Sequence, residues 1–192
     1  SGDIIITFTE TSTQGDDPSE CDFYNYTITR IWTIEDEAGN TNSYTQIVTV
    51  QDTEAPTYVA PVDVTIECDE STDPSNTGMP TDLADNCASV DNITVTFDDV
   101  STQINNPSVC PFYTYTITRT WTVSDPCGNA TTAVQVIDVE DSTAPTPVCQ
   151  DITVALDENG EVTISANDIN NGSFDNCAAM DELTLMLDKT SF

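Results

Sequence analysis

The side chains in this sequence best suited to chemistry are the oxygen donors of its turns. Asp52, Asp85, Asp125 and Asn129 lie in short polar segments between apolar runs, and Asp141 and Asp175 recur in similar settings further on. A hard divalent cation such as Ca²⁺ takes six to eight oxygens from carboxylates, amides and backbone carbonyls contributed by several loops. These residues are therefore the expected calcium ligands, four for one site and two for a second. Asp and Asn are equally ordinary residues of metal-free hairpin turns, and no EF-hand loop is present. The charge favours cations of some kind. Thirty-four acidic residues face only Arg30, Arg119 and Lys189, for a net charge of −31. At that density like charges repel in the compact state unless counter-ions gather, and nucleic acid or an anionic membrane is a poor partner.

Other chemistry finds less support. The chain has seven cysteines, no histidine and no Cys-x-x-Cys pair, which argues for extracellular disulfides and against a zinc site. General acid–base or nucleophilic catalysis usually draws on His, a perturbed Lys or Cys, or a carboxylate pair in a cleft. No spacing singles out such a group, and the reading is that the chain is not an enzyme.

The elements that must position the acids are repeated. Cys21-Asp-Phe-Tyr-Asn-Tyr-Thr-Ile-Thr-Arg30-Ile-Trp32 returns as Cys110-Pro-Phe-Tyr-Thr-Tyr-Thr-Ile-Thr-Arg119-Thr-Trp121, a period of about 89 residues. The match runs on through Gly39-Asn40 and Gly128-Asn129 to Asp52-Thr-Glu-Ala-Pro56 and Asp141-Ser-Thr-Ala-Pro145. A second series pairs Asp63-Val-Thr-Ile66 with Asp151-Ile-Thr-Val154, and Asp85-Asn-Cys87 with Asp175-Asn-Cys177. A fixed period of this kind is the mark of an array. Residues 51–140 form one complete unit, 1–50 the C-terminal part of another and 141–192 the N-terminal part of a third. The chain thus reads as a segment of a longer protein. No apolar run is long enough to span a bilayer, and Ser1-Gly2-Asp3 has no signal-peptide character.

Within the unit, strands dominate. Tyr113, Tyr115, Ile117, Trp121 and Val123 alternate with threonines, one apolar face against one polar face. Counting by twos places Arg119 on the apolar face, stacked on Trp121 or paired with a carboxylate. Trp32 falls on the corresponding core-facing position. Val62, Val64 and Ile66, then Ile93, Val95 and Phe97, alternate in the same way, while Asp125-Pro-Cys-Gly-Asn129 and Asp157-Glu-Asn-Gly160 should close hairpins. The expected fold is all-β: tandem immunoglobulin-like or fibronectin-III-like β-sandwich repeats arranged end to end.

Strand direction assigns the poles. If the strand near Val62 runs up, the turns at Asp85-Asn-Cys87 and Asp125–Asn129 share the lower pole with the linker at Asp52. Cys87 should then bond Cys127 below, and Cys68 should bond Cys110 above, leaving Cys21, Cys149 and Cys177 without partners in this sequence. A rival pairing, Cys87 with Cys110, would strand Cys68 and Cys127 at opposite poles.

Tyr-Thr-Ile-Thr-Arg-x-Trp-Thr, followed by Asp-x-x-Gly-Asn and Asp-x-x-Ala-Pro, resembles the HYR-like immunoglobulin-type repeats of very large Bacteroidota surface proteins. Val148-Cys-Gln-Asp-Ile-Thr-Val, Asn171-Gly-Ser-Phe-Asp-Asn-Cys177 and Leu187-Asp-Lys-Thr-Ser-Phe192 are similar to a sister repeat of the same proteins. Such repeats occur in gliding-motility adhesins of the SprB type, exported by type IX secretion, and in other giant adhesins and filaments. The resemblance implies an extracellular, cell-surface stalk that projects a distal binding region for attachment or gliding. Its partners would be neighbouring repeats, with surface glycans or other cells met elsewhere in the protein. Ala38 stands where the second copy has Cys127, so the first copy should lack that copy's own bridge. The alternative is a glycan-binding module, which needs exposed aromatics clustered on one loop face.

Overall fold

The computed structural model describes residues 3–188; Lys189 and the end of the Leu187–Phe192 motif lie outside the described residues. The chain is all-β, as the alternation requires. The strands are β1 (Ile5–Ser12), β2 (Tyr26–Glu35), β3 (Thr41–Val50), β4 (Thr57–Val59), β5 (Val64–Glu67), β6 (Thr81–Ala84), β7 (Thr94–Ser101), β8 (Tyr115–Ser124) and β9 (Ala130–Glu140). Helical structure among the described residues is confined to single turns, such as Pro74–Thr77, Ala166–Ile169 and the 3-10 turns Cys21–Phe23 and Cys110–Phe112.

Three sandwich-like sheets result, ordered β1-β2-β3, β4-β6 and β5-β9-β8-β7. In the first, β2 pairs antiparallel with both neighbours, Trp32 opposite Phe8 on one side and Tyr44 on the other. In the last, β5 runs parallel to β9, Val64 opposite Ile137 and Glu67 opposite Glu140. The β8–β9 turn is closed by Asp125 N donating to Asn129 O at 3.1 Å, with Gly128 at φ +84°, a left-handed conformation that suits glycine.

Contacts group the residues into two compact units. One comprises Ser1–Pro61, Met79–Asp98 and Thr120–Val134, the other Val62–Gly78, Asp99–Arg119 and Gln135–Phe192. In the first, Trp121 is 1 % exposed, Val123 is fully buried, and the Trp121 ring lies 5.1 Å from that of Phe97. In the second, Ile66, Ile117, Ile137 and Val139 form the core, with Val64, Cys68 and Tyr115 packed against it. Gln135, also fully buried, donates through Nε2 to the carbonyls of Val62 (2.9 Å) and Thr77 (2.6 Å).

The face assignment of β8 holds: Ile117, Arg119, Trp121 and Val123 are buried, and the intervening residues are not. Arg119 reaches a carboxylate. Its Nε and Nη2 donate to the two carboxylate oxygens of Asp99, each at 2.8 Å, Nη1 donates to Thr77 Oγ1 at 2.9 Å and Nη2 to Thr72 O at 2.8 Å.

Three expectations change. Trp32, expected in a core, is 36 % exposed, although its ring lies 4.9 Å from Phe8; Ile6, Phe8, Ile34 and Tyr44 of the same sheet are exposed too. Asp151–Val154, the recurrence of β5, forms no strand. β5 is held by its ladder to β9, and no strand among the described residues offers Asp151–Val154 the same support. Asp157–Gly160 does make a tight turn, Asp157 N donating to Glu161 O at 2.8 Å, but strands do not flank it.

Candidate metal centre

Three of the expected ligands meet. Asp52 follows β3, Asp85 follows β6 and Asp125 follows β8, and one carboxylate oxygen from each lies within 4.8 Å of the others. All three belong to the first compact unit. Asp52 is 4 % and Asp125 5 % exposed.

Each carboxylate is fixed by its own loop. Asp85 Oδ1 accepts from Cys87 N (2.9 Å) and Ala88 N (2.7 Å), an Asx turn that aims the side chain back across the loop. Asp125 Oδ1 accepts from Asn129 N at 2.9 Å. Asp52 is anchored through its backbone, N donating to Asn25 Oδ1 at 2.6 Å, while its Oδ1 accepts from Glu54 N at 3.3 Å. The remaining oxygens could hold a cation. Asp52 Oδ2 and Asp85 Oδ2 are buried without a hydrogen bond of good geometry, although the Cys87 thiol, a weak donor, lies beside the Asp52 carboxylate. Buried acceptors are almost always satisfied, and three buried or half-buried carboxylates this close repel one another.

Asn129 adjoins the acids through its amide nitrogen. Its Nδ2 donates to Asp125 Oδ2 at 2.7 Å and to Asp52 O at 3.2 Å, so its amide nitrogen ties the turn to the linker. It positions two acids.

Burial, then the charges of Asp85 and Asp125, hold the Asp52 carboxyl above the usual carboxylate range. Relative to the unfolded chain, folding therefore favours the protonated form of Asp52. The stability carried by that proton is complete below the ordinary carboxylate range and is lost as pH rises through the raised one. At neutral pH without divalent ions the group is a net cost. Asp52→Asn keeps the shape and the acceptor for Glu54 N. It is expected to raise the melting temperature of chelated protein at pH 7 by about 2–4 °C, the shift that accompanies roughly 1 kcal/mol in a chain of this size. Differential scanning calorimetry in excess chelator checks this; a lowered melting temperature would show that the carboxylate is not strained.

The second expected pair sits in the other compact unit. Asp141, itself exposed, clusters with Glu67 beside Cys68 and Cys177, and partial desolvation, followed by the charges of Asp175 and Glu67, pushes the Asp141 carboxyl up. Asp175 Oδ1 accepts from Cys177 N (3.0 Å) and Ala178 N (2.9 Å), repeating the Asp85 turn. Glu67 was not anticipated. It ends β5 as an ordinary outward strand residue, and it accepts hydrogen bonds from the hydroxyl and backbone N–H of Ser142. Only its pairing opposite Glu140 brings it to the start of the next copy.

The disulfides differ from both expected pairings. Cys21 bonds Cys127, with Cα atoms 4.5 Å apart, and Cys68 bonds Cys177, with Cα atoms 5.9 Å apart. Cys87 and Cys110, expected to bond Cys127 and Cys68, are unpaired, as is Cys149. The expectation closed each sequence copy on itself. Both observed bonds join residues of adjacent copies instead, because the Asp125–Asn129 turn meets the Cys21–Phe23 turn and the end of β5 meets the Asp175–Cys177 turn. Desolvation, then the charges of Asp52 and Asp85, push the Cys87 thiol up.

No family model matches the chain, and no curated protein matches it. Among solved structures, the protocadherin gamma B2 extracellular cadherin domains 1–5 are similar at 14 % identity with a TM-score of 0.31. That match covers 84 % of this chain but only 37 % of the other, and a likeness of that degree says nothing of what this chain binds.

Proposed function

We propose that this chain is a stalk segment of a large secreted cell-surface adhesin or filament. In this reading adjoining copies are locked by disulfides and by calcium, and they present a distal binding region for attachment or gliding. The sequence resemblance to HYR-like surface repeats supports it, as do two disulfides suited to an oxidising, extracellular setting. The observation that carries it is the meeting of Asp52, Asp85 and Asp125, a linker and two loops, with two buried oxygens that lack a hydrogen bond of good geometry. Asp52, Asp85 and Asp125 would hold the ion and Asn129 would keep the turn in place.

Extracellular calcium sites commonly have Kd near 10⁻⁴ to 10⁻³ M. Millimolar ion then adds only about 0.4 to 1.4 kcal/mol per site, so local order should respond more than global stability. Cleavage after Glu54 by a glutamate-specific protease is expected to slow about 6- to 50-fold in 5 mM CaCl₂ relative to chelator, the factor 1 + [L]/Kd for that range of Kd, with a small rise in melting temperature. Asp125→Ala should abolish both. Equal cleavage rates and equal melting curves in calcium and chelator would overturn the calcium reading.

A further inference from the structure

We infer that Cys87 and Cys110 are the two halves of inter-copy disulfides, so that every junction in a run of these repeats carries two covalent bridges in a fixed register. Translation along the sequence maps each of these cysteines onto a bonded one. Cys110 is the counterpart of Cys21: both open the same 3-10 turn, with Cys21 O accepting from Tyr24 N and Asn25 N, and Cys110 O from Tyr113 N and Thr114 N. Cys21 is bonded forward, to Cys127 of the following copy. Cys87 is the counterpart of Cys177: both follow an Asx turn, Asp85 in one case and Asp175 in the other, whose Oδ1 accepts two successive backbone N–H groups. Cys177 is bonded backward, to Cys68 of the preceding copy. The structure thus shows each kind of bridge once, at different junctions.

Wherever a further copy adjoins, Cys110 therefore bonds the Cys127 counterpart of the copy after it, and Cys87 bonds the Cys68 counterpart of the copy before it. Each bond removes two protons and two electrons from a thiol pair, accepted by a disulfide oxidant such as glutathione disulfide, which leaves as two thiols. Cys149 takes no part, because Pro61 occupies the matching place in the second copy. The inference rests on reading the chain as a run of adjoining copies and is independent of calcium.

The test adds one period to the whole chain: residues 1–140 followed by 52–192, with conservative Thr→Ser changes marking the inserted copy. Both the parent and the lengthened chain are refolded from the reduced state with oxidised and reduced glutathione. Free thiols are then alkylated and peptides mapped without reduction. The inserted copy brings four more cysteines, yet the lengthened chain is expected to show the same three free thiols as the parent. New peptides should join Cys68 of the upstream copy to Cys87 of the downstream copy, and Cys110 upstream to Cys127 downstream. Alkylation of all four, or a bond between Cys87 and Cys110 of one copy, would overturn the inference. The parent provides a check that needs no insertion: Cys21–Cys127 and Cys68–Cys177 peptides with Cys87 and Cys110 alkylated support the template, and a Cys87–Cys110 peptide defeats it. Calcium-dependent protection at Glu54 is scored separately, so loss of the disulfide register and loss of the metal reading are distinguishable.

Discussion

Trp121→Ala is expected to cost about 3 to 5 kcal/mol of unfolding free energy, the range for deleting a large aromatic ring from a core that cannot collapse around the gap. The ring is 1 % exposed and in contact with Phe97, so truncation removes both its burial and an aromatic contact. The same change at Trp32 is the internal control. That indole is 36 % exposed, with its Nε1 donating to Gln46 Oε1 at 3.4 Å, and a loss of about 1 kcal/mol is expected. Urea denaturation of the two variants measures both. A loss under about 1 kcal/mol at Trp121, the usual range for surface positions, would mean that the faces of β8 are reversed.

The second large effect concerns Arg119 and its counterpart Arg30. Each guanidinium pairs with an acid of the neighbouring strand, Arg119 with Asp99 at 2.8 Å and Arg30 with Glu10 at 2.6 Å. Their surroundings decide the energies. The Arg119 side chain is 2 % exposed and that of Asp99 31 %, against 35 % and 40 % for Arg30 and Glu10. Asp99→Ala leaves a buried cation without its counter-charge and should cost about 3 to 5 kcal/mol. Arg119→Met should cost less, since Asp99 keeps contact with water and the methionine refills most of the volume. Glu10→Ala, at an exposed pair, should cost no more than about 1 kcal/mol. Chemical denaturation of the three variants gives the order; equal losses at Asp99 and Glu10 would show that burial is not what sets the energy.

How much of this was legible depended on whether the cause was local. The two-residue period of β8 is a property of consecutive side chains, and it placed Arg119 and Trp121 correctly. The meeting of Asp52, Asp85 and Asp125 followed from strand direction alone, because a strand that runs down must deliver its last residue to the lower pole. The disulfides were not legible in that way. Direction tells which end of a sandwich a cysteine occupies, but not whether its nearest neighbour there comes from its own copy or the adjoining one. Cys87 and Cys127 share a pole, yet Cys127 lies against Cys21 of the copy before. Glu67 was missed for a related reason: an outward glutamate at a strand end looks solvated until the parallel ladder to β9 sets it beside Ser142. The exposure of Trp32 is the converse case, a core-type pattern on a sheet that no described residues cover.

The two disulfides overlap along the chain: Cys68 lies inside the loop closed by Cys21 and Cys127, and Cys127 lies inside the loop closed by Cys68 and Cys177. Pulled from its ends, the oxidised polypeptide cannot pay out everything between Cys21 and Cys177. Three segments, 21–68, 68–127 and 127–177, run in parallel between the two bridges, so the shortest, 21–68, carries the tension and most of the intervening contour length stays slack however far the strands unravel. Reduction alone would release it, at on the order of 3.5 Å per residue. In this chain extensibility is thereby set by redox state rather than by the strength of its sheets.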